Sequence, residues 1–515
     1  MRLAFSLLVI LAFAGCASVP PPAAPQVSFD PHWSEKALAT GEGHDHADPL
    51  QHLNLTTPNF TVLGHDSLNS PYYGGPPGAT LCGDAGQAPN GRRIAAVESR
   101  SNVGFSLADV TNATHPVWLG ELVMENTRVY DLAVVPDGAY VVLVTANLEN
   151  TPVGLPILDA APRMTWRSPC APEHEVQRVG LAATTAPIPA PAQVLLVDIS
   201  DPANPTIVDG QPISGYGHSV FSTAIDGRTW LLVSTLGPFP PAVPAQATSG
   251  WEFYELQATP LGVRLHLLST YYVRGDLVTS VGQFAHDGAI AKHSGTGQTL
   301  GYLVGGDRVT IVDLADPSQP RELSHWSDVV ATTAGHSGNF HSVVPLDRLW
   351  NGRHYTVVGP EFGNHPDGAP SGIVWVLDTT DPGKPHEVAG WTLPHDPEWS
   401  GEYMFSDHYF GVGNKTLYVS MYHGGIWAVD LSPVLDATRA GFRSLDSIGV
   451  FMPVDAAVHP AVKVRWAPTL EEALVYSDGV LVTFDSFTGL WTVRFDAEHP
   501  APPPAPWPLV PPHGY

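Results

Sequence analysis

Lysine is almost missing from this 515-residue chain. It occurs five times, and Lys and Arg together number 24 against 50 Asp and Glu. With a formal charge of −26 the chain lacks the clustered cations that hold phosphate backbones, which excludes nucleic acid as a partner class. An acidic surface favours solubility and draws cations or basic partners instead. Cysteine is scarce as well, with three residues, so a thiolate metal centre has little to build on. No long stretch carries apolar residues at helical spacing. After the first fourteen residues no run is long and apolar enough to be a transmembrane helix. A nucleophile elbow, a phosphate-binding glycine loop and a dinucleotide fingerprint are all lacking.

What is present in quantity is glycine (49), proline (51) and apolar side chains, at 43% hydrophobic. That combination fits an all-β chain with a sizeable core and many turns. Residues 309–323 read VTIVDLADPSQPREL. The same grammar returns at 194–208 (VLLVDISDPANPTIV) and 374–388 (VWVLDTTDPGKPHEV). Looser copies stand at 426–433 (IWAVDLSP) and 105–119 (FSLADVTNATHPVWL), and degenerate ones at 254–256 and 491–495. Seven candidate strand ends follow: Asp109, Asp198, Glu255, Asp313, Asp378, Asp430 and Arg494.

Each copy has a physical meaning. Unbroken Val, Ile, Leu and Trp suit a strand buried on both faces. The terminal Asp accepts from backbone N–H groups two residues on. The prolines after Asp201, Asp316 and Asp381 stop the strand, having no donor for a ladder. Turn chemistry alone accounts for these Asp-Pro pairs, ahead of calcium ligation.

One repeat unit cannot bury both faces of its sheet, whereas a ring of units can. The sequence therefore predicts a single β-propeller over residues 59–496, of seven blades with four antiparallel strands each, six or eight being the alternatives. Residues 60–63 are expected to complete the last blade. Residues 68–91, 147–193 and 237–250 are read as insertions that present loops on one face. The remaining parts are a leader at 1–16, a Pro-rich spacer and polar lead at 17–58, and a Pro-rich tail at 497–515.

The copies resemble the LVIVD repeat of exported or surface β-propellers of bacteria and archaea. The likeness is strong at VLLVDISDPANP, VTIVDLADPSQP and VWVLDTTDPGKP and weak in blades three and seven. It implies the propeller fold and an extracytoplasmic setting, with no settled activity. Blades of that family often open on a His that precedes an Asp-Gly turn. His218 before Asp226-Gly227 fits; His286 and His341 fit in part; His408 falls about three residues from the aligned place.

The start of the chain agrees with export. Met1-Arg2 precedes an apolar run at 3–14, and Ala14-Gly15-Cys16 ends it. Cys16 resembles the acylated cysteine of a lipobox, although Phe13 departs from the usual Leu. Cys82 and Cys170 are then expected to form one disulfide in an oxidising compartment.

Histidine is the other abundant feature, with 23 residues. His218, His286 and His341 stand at blade starts, where the innermost strand lines the axis, and His293, His336, His408 and His423 lie near the same strands. Imidazoles from several blades suit Zn²⁺ or Cu²⁺. His218, His286, His341 and His408 are the candidate ligands, with Asp287 and Asp407 beside them. The bland alternative is that each ring caps a strand or bonds a neighbouring blade. Similarity to the copper-dependent methanethiol oxidase (selenium-binding protein) family extends to architecture and His placement. The run Gly43-His44-Asp45-His46-Ala47-Asp48 is a second, looser cation candidate.

The expected function is an exported, lipid-anchored propeller of the cell envelope, tethered to the membrane and binding a protein or small-molecule ligand at its surface. The alternative is a copper- or zinc-dependent enzyme, an oxidoreductase, with its site at the channel. The sequence assigns no catalytic residue.

Overall fold

The computed structural model describes residues 56–498 except 67, 69–79, 89, 100–103, 125–126, 148–192, 214–215, 237–248, 273–284, 307, 329–339, 362–372, 394–405, 423, 439–440, 453–469, 471 and 486–488. Cys16, Cys170, the 43–48 run, His336 and His423 lie outside these residues. So does most of the 147–193 insertion.

The described strands form seven antiparallel sheets around one axis, a seven-bladed β-propeller. The chain enters on β1 (Phe60–Asp66). Blade one follows with β2 (Thr80–Gln87), β3 (Arg93–Ser99), β4 (Gly104–Asp109) and β5 (Val117–Val123), and blade two with β6 (Thr127–Val134), β7 (Tyr140–Asn147), β8 (Gln193–Asp198) and β9 (Thr206–Pro212). Blade three comprises β10 (Tyr216–Ile225), β11 (Arg228–Leu236), β12 (Gly250–Thr259) and β13 (Gly262–Tyr272). Blade four comprises β14 (Asp287–Lys292), β15 (Thr299–Gly305), β16 (Arg308–Asp313) and β17 (Arg321–Ser327). Blade five comprises β18 (Phe340–Pro345), β19 (Tyr355–Pro360), β20 (Val374–Asp378) and β21 (His386–Trp391). Blade six comprises β22 (Phe410–Gly413), β23 (Thr416–Ser420) and β24 (Ile426–Asp430). Then come β25 (Arg443–Ser444), which adds to β21 of blade five in parallel, and β26 (Ser447–Phe451), the fourth strand of blade six. Blade seven is β27 (Leu474–Val475), β28 (Val480–Asp485), β29 (Gly489–Phe495) and, on its outside, β1. The first strand thus closes the last sheet, as expected from residues 60–63.

One reading changes. Residues 68–91 are not simply an insertion: Thr80–Gln87 is the innermost strand of blade one. Its Gly-rich TLCGDAGQ lacks the apolar run that marks the other strands. Cys82 lies on this strand.

The repeated Asp does what the turn chemistry demands. Asp109, Asp198, Asp313, Asp378 and Asp430 each close a third strand and accept from the N–H two residues on, at 2.8–3.0 Å. In the Asp-Pro turns, Asp201, Asp316 and Asp381 accept from Ala203, Ser318 and Gly383 at 3.3, 3.1 and 3.0 Å.

A second repeat appears only in three dimensions. Each outermost strand carries one extra residue opposite the third strand, a β-bulge. The residues skipped in the ladder are Leu119, Val208, Leu268, Leu323, Val388 and Ile448 in blades one to six, and Leu63 in blade seven. All seven are apolar, and each packs on a core between blades.

Those cores number seven, one per gap between neighbouring blades. Strands buried on both faces feed two of them by alternation: Leu195 and Val197 of β8 face blade one, while Val194 and Leu196 face blade three. Carboxylates latch blade to blade as well. Asp66 accepts from Trp118 N at 3.0 Å, Asp84 from Val134 N at 2.7 Å and Asp131 from Val220 N at 2.8 Å. The inner strands β2, β6, β10, β14, β18 and β22 touch in succession, β22 meets β27, and β28 of the same blade meets β2, so the ring is shut.

Candidate metal centre on the inner strands

The four expected histidines come together. His218, His286, His341 and His408, from blades three to six, form an arc of rings. Successive centroids are 4.2, 4.1 and 4.1 Å apart. His286, His341 and His408 are buried, and His218 is half-buried.

Local irregularity aims them. The β10–β11 ladder slips between Gly217 and Val220, and the β18–β19 ladder slips between Phe340 and Ser342. His218 and His341 sit in those slips. His286 stands just before β14, and His408 stands two residues before β22. A bulge turns a side chain that regular alternation would send into an interblade core. Tyr130 occupies the corresponding slip of blade two, between Val129 and Asp131. His408 joins the arc although its sequence offset sets it apart from the other three.

Hydroxyls lock the backbone behind the rings. The Ser219 hydroxyl donates to the carbonyl of His286 at 2.6 Å, and the Ser342 hydroxyl to that of His408 at 2.5 Å. The Ser234 hydroxyl also donates to the carbonyl of His286. His341 Nδ1 lies 2.9 Å from the His408 carbonyl oxygen. A carbonyl only accepts, so Nδ1 carries the proton and Nε2 keeps its lone pair.

The residue that completes the group is Glu361, just past the end of β19. Its Oε2 lies 3.5 Å from His286 Nε2 and 3.7 Å from His341 Nε2. His286, His341 and Glu361 offer one ligand atom each, all within 4.8 Å of one another, and all three residues are buried. Glu361 Oε1 accepts from the Tyr422 hydroxyl at 2.5 Å. Tyr409 stands edge-on to His341 and His408, and Tyr422 edge-on to His408.

Burial keeps His286 and His341 neutral. It pushes His286 down to about 3. His341 is held well below the ordinary range by burial first, then by His286, His408 and His218. Neutral imidazole is the ligating form.

The two expected carboxylates behave differently. Asp287 does not join the ligand group. It accepts from the Ser219 hydroxyl at 3.1 Å and burial raises it to about 7. Asp407 is fully buried, and neither oxygen has a hydrogen-bond partner outside its own residue among the described residues. Burial and then the charge of Glu361 raise it well above the usual carboxylate range. His293 belongs to another place: its ring lies tilted against His354, centroids 4.2 Å apart, and its Nε2 lies 2.8 Å from the Thr379 carbonyl.

Sequence reasoning missed Glu361 and Tyr422. Neither occupies a position shared by other blades. A carboxylate directly after the second strand of blade five was the one available signal.

No family model matches the chain, and neither does any curated protein. Among solved structures it is similar to a putative 6-phosphogluconolactonase from Bacteroides fragilis. The identity is 12%, 82% of this chain and 96% of that one are covered, and the TM-score is 0.44.

Proposed function

We propose that this protein is a metal-dependent propeller that holds zinc or copper through His286, His341 and Glu361, with His218 and His408 flanking the ion. The observation that carries this reading is the meeting of Glu361 Oε2 with the Nε2 atoms of His286 and His341 at 3.5 and 3.7 Å. The His341 Nε2 lone pair faces a carboxylate oxygen, and a cation between them satisfies both. Imidazole and carboxylate together suit zinc or copper. The seven interblade cores hold the ring without an ion. A metal-dependent enzyme, an oxidoreductase where the ion is copper, is the activity this centre supports; binding of a protein or small-molecule ligand at the surface is the other reading.

The LVIVD character of the repeats and the leader with Cys16 support a setting in the cell envelope, anchored by lipid. Mass spectrometry of the mature protein tests the anchor: an unacylated Cys16 removes it. Metal analysis of protein purified without added metal tests the site. About one equivalent of zinc or copper is expected. The triple change of His218, His286 and His341 to Ala should abolish it while leaving the circular dichroism of the β-sheets unchanged. Metal content near zero in the unaltered protein overturns the reading.

A further inference from the structure

From the same site reading, we infer that Tyr422 is a positioning residue that selects which oxygen of Glu361 faces the ion. Its hydroxyl donates to Oε1 at 2.5 Å, while Oε2 is the oxygen nearest His286 and His341. One oxygen is occupied by the phenol and the other is presented to the imidazoles. A carboxylate free to rotate would lose part of its binding to the entropy of being ordered.

The backbone supports this assignment. Tyr422 is 4% exposed and sits at φ +45°, a left-handed conformation that bulky side chains rarely adopt. Glycine would take that conformation without strain, and the chain has two glycines within the next three residues, at 424 and 425. Tyrosine holds the position nonetheless. The conformation is fixed from outside: the Tyr422 carbonyl accepts from Leu470 N at 3.1 Å, and the Met421 N–H donates to the Gly425 carbonyl at 2.9 Å. The ring also packs edge-on against His408 at 5.1 Å. The strained backbone, held by these bonds, carries the phenol to the candidate ligand Glu361.

The test is a double-mutant cycle on zinc affinity, measured by competition with a chelator. The unaltered protein, Tyr422→Phe, Glu361→Ala and the double variant are compared. Phe keeps the ring, the packing and the strained backbone, and removes the hydroxyl alone. Outer-shell partners of this kind are worth roughly 10–100-fold in metal affinity. Tyr422→Phe should weaken zinc by that factor, while the metal-free protein keeps the circular dichroism of the folded β-sheets. In the Glu361→Ala background the same change should have no further effect, because the oxygen to which the phenol donates is gone. A merely structural tyrosine would weaken binding equally in both backgrounds, and that outcome overturns the inference. If zinc binds through Glu361 but Tyr422→Phe binds as tightly as the unaltered protein, the inference fails and the site stands. Failure of the unaltered protein to bind zinc or copper overturns the site and the inference together.

Discussion

His341 and His408 are joined across the gap between blades five and six by a hydrogen bond from ring nitrogen to backbone carbonyl, 2.9 Å long. The bond ties the protonation of one imidazole to the main chain of the next blade. It leaves His341 Nε2 as an acceptor facing Glu361. If the proposed centre binds zinc, replacing His341 by Ala removes one of its ligands, and the loss of zinc affinity should exceed the roughly 10–100-fold typical of outer-shell partners. Titration of the metal-free variant beside the unaltered protein checks this.

Asp84 lends itself to a test of pH dependence. It is half-buried, accepts from Val134 N of the next blade, and burial raises it to about 7. A carboxyl raised in the folded state contributes stability below its unfolded value near 4, and that contribution is lost as pH rises through about 7. Asp84→Asn keeps an acceptor and cannot ionise. Against the unaltered protein it should gain roughly 1–2 kcal/mol at pH 8 over its value at pH 4, a figure reduced for the remaining contact with water. Urea unfolding at the two pH values measures the difference.

His354 works in the opposite direction. Its ring is fully buried against His293, Nδ1 meets the Thr379 hydroxyl at 2.8 Å, and Nε2 has no hydrogen-bond partner among the described residues. Burial and then His293 lower it to about 4. A histidine lowered in the folded state contributes stability above its unfolded value near 6.5, lost as pH falls through about 4. His354→Gln retains a donor toward Thr379 and does not titrate in this window. It should reduce acid destabilisation between pH 6.5 and 4 by up to about 3 kcal/mol. Acid-induced loss of tryptophan fluorescence reports the midpoint, which should move down in the variant.

Phe60 tests the closure of the ring. It is 6% exposed and lies between Phe495 and Phe451, with ring centroids at 4.8 and 6.1 Å. Phe60→Ala should cost about 3 kcal/mol from lost burial and the cavity left behind. Hydrogen exchange should speed up first in β1 and β29, ahead of the other blades.

The fold was legible because its repeat is written in side chains. VLLVD, VTIVD and VWVLD need a strand buried on both faces, and Asp followed by Asp-Pro needs a turn; the structure has both in those places. Blade one was harder, since β2 is spelled TLCGDAGQ and carries no apolar alternation. The bulge at Leu63, Leu119 and their counterparts left no trace, because an extra apolar residue in a strand looks like any other strand residue. The histidine arc was legible by position, since an innermost strand must line the axis. Its acidic member was not: Glu361 reaches the rings through the path of one strand end, and that path exists only after folding.

The seam between β1 and β29 joins residues far apart along the chain: Thr492 donates to the Gly64 carbonyl across 428 positions. Contacts so distant cannot form until synthesis of the whole wheel is complete. Ring closure therefore waits for the end of the chain, and a chain halted before blade seven keeps open edges at both ends. Once shut, every blade leans on two others, and the native state should be long-lived, unfolding by parting at this one suture.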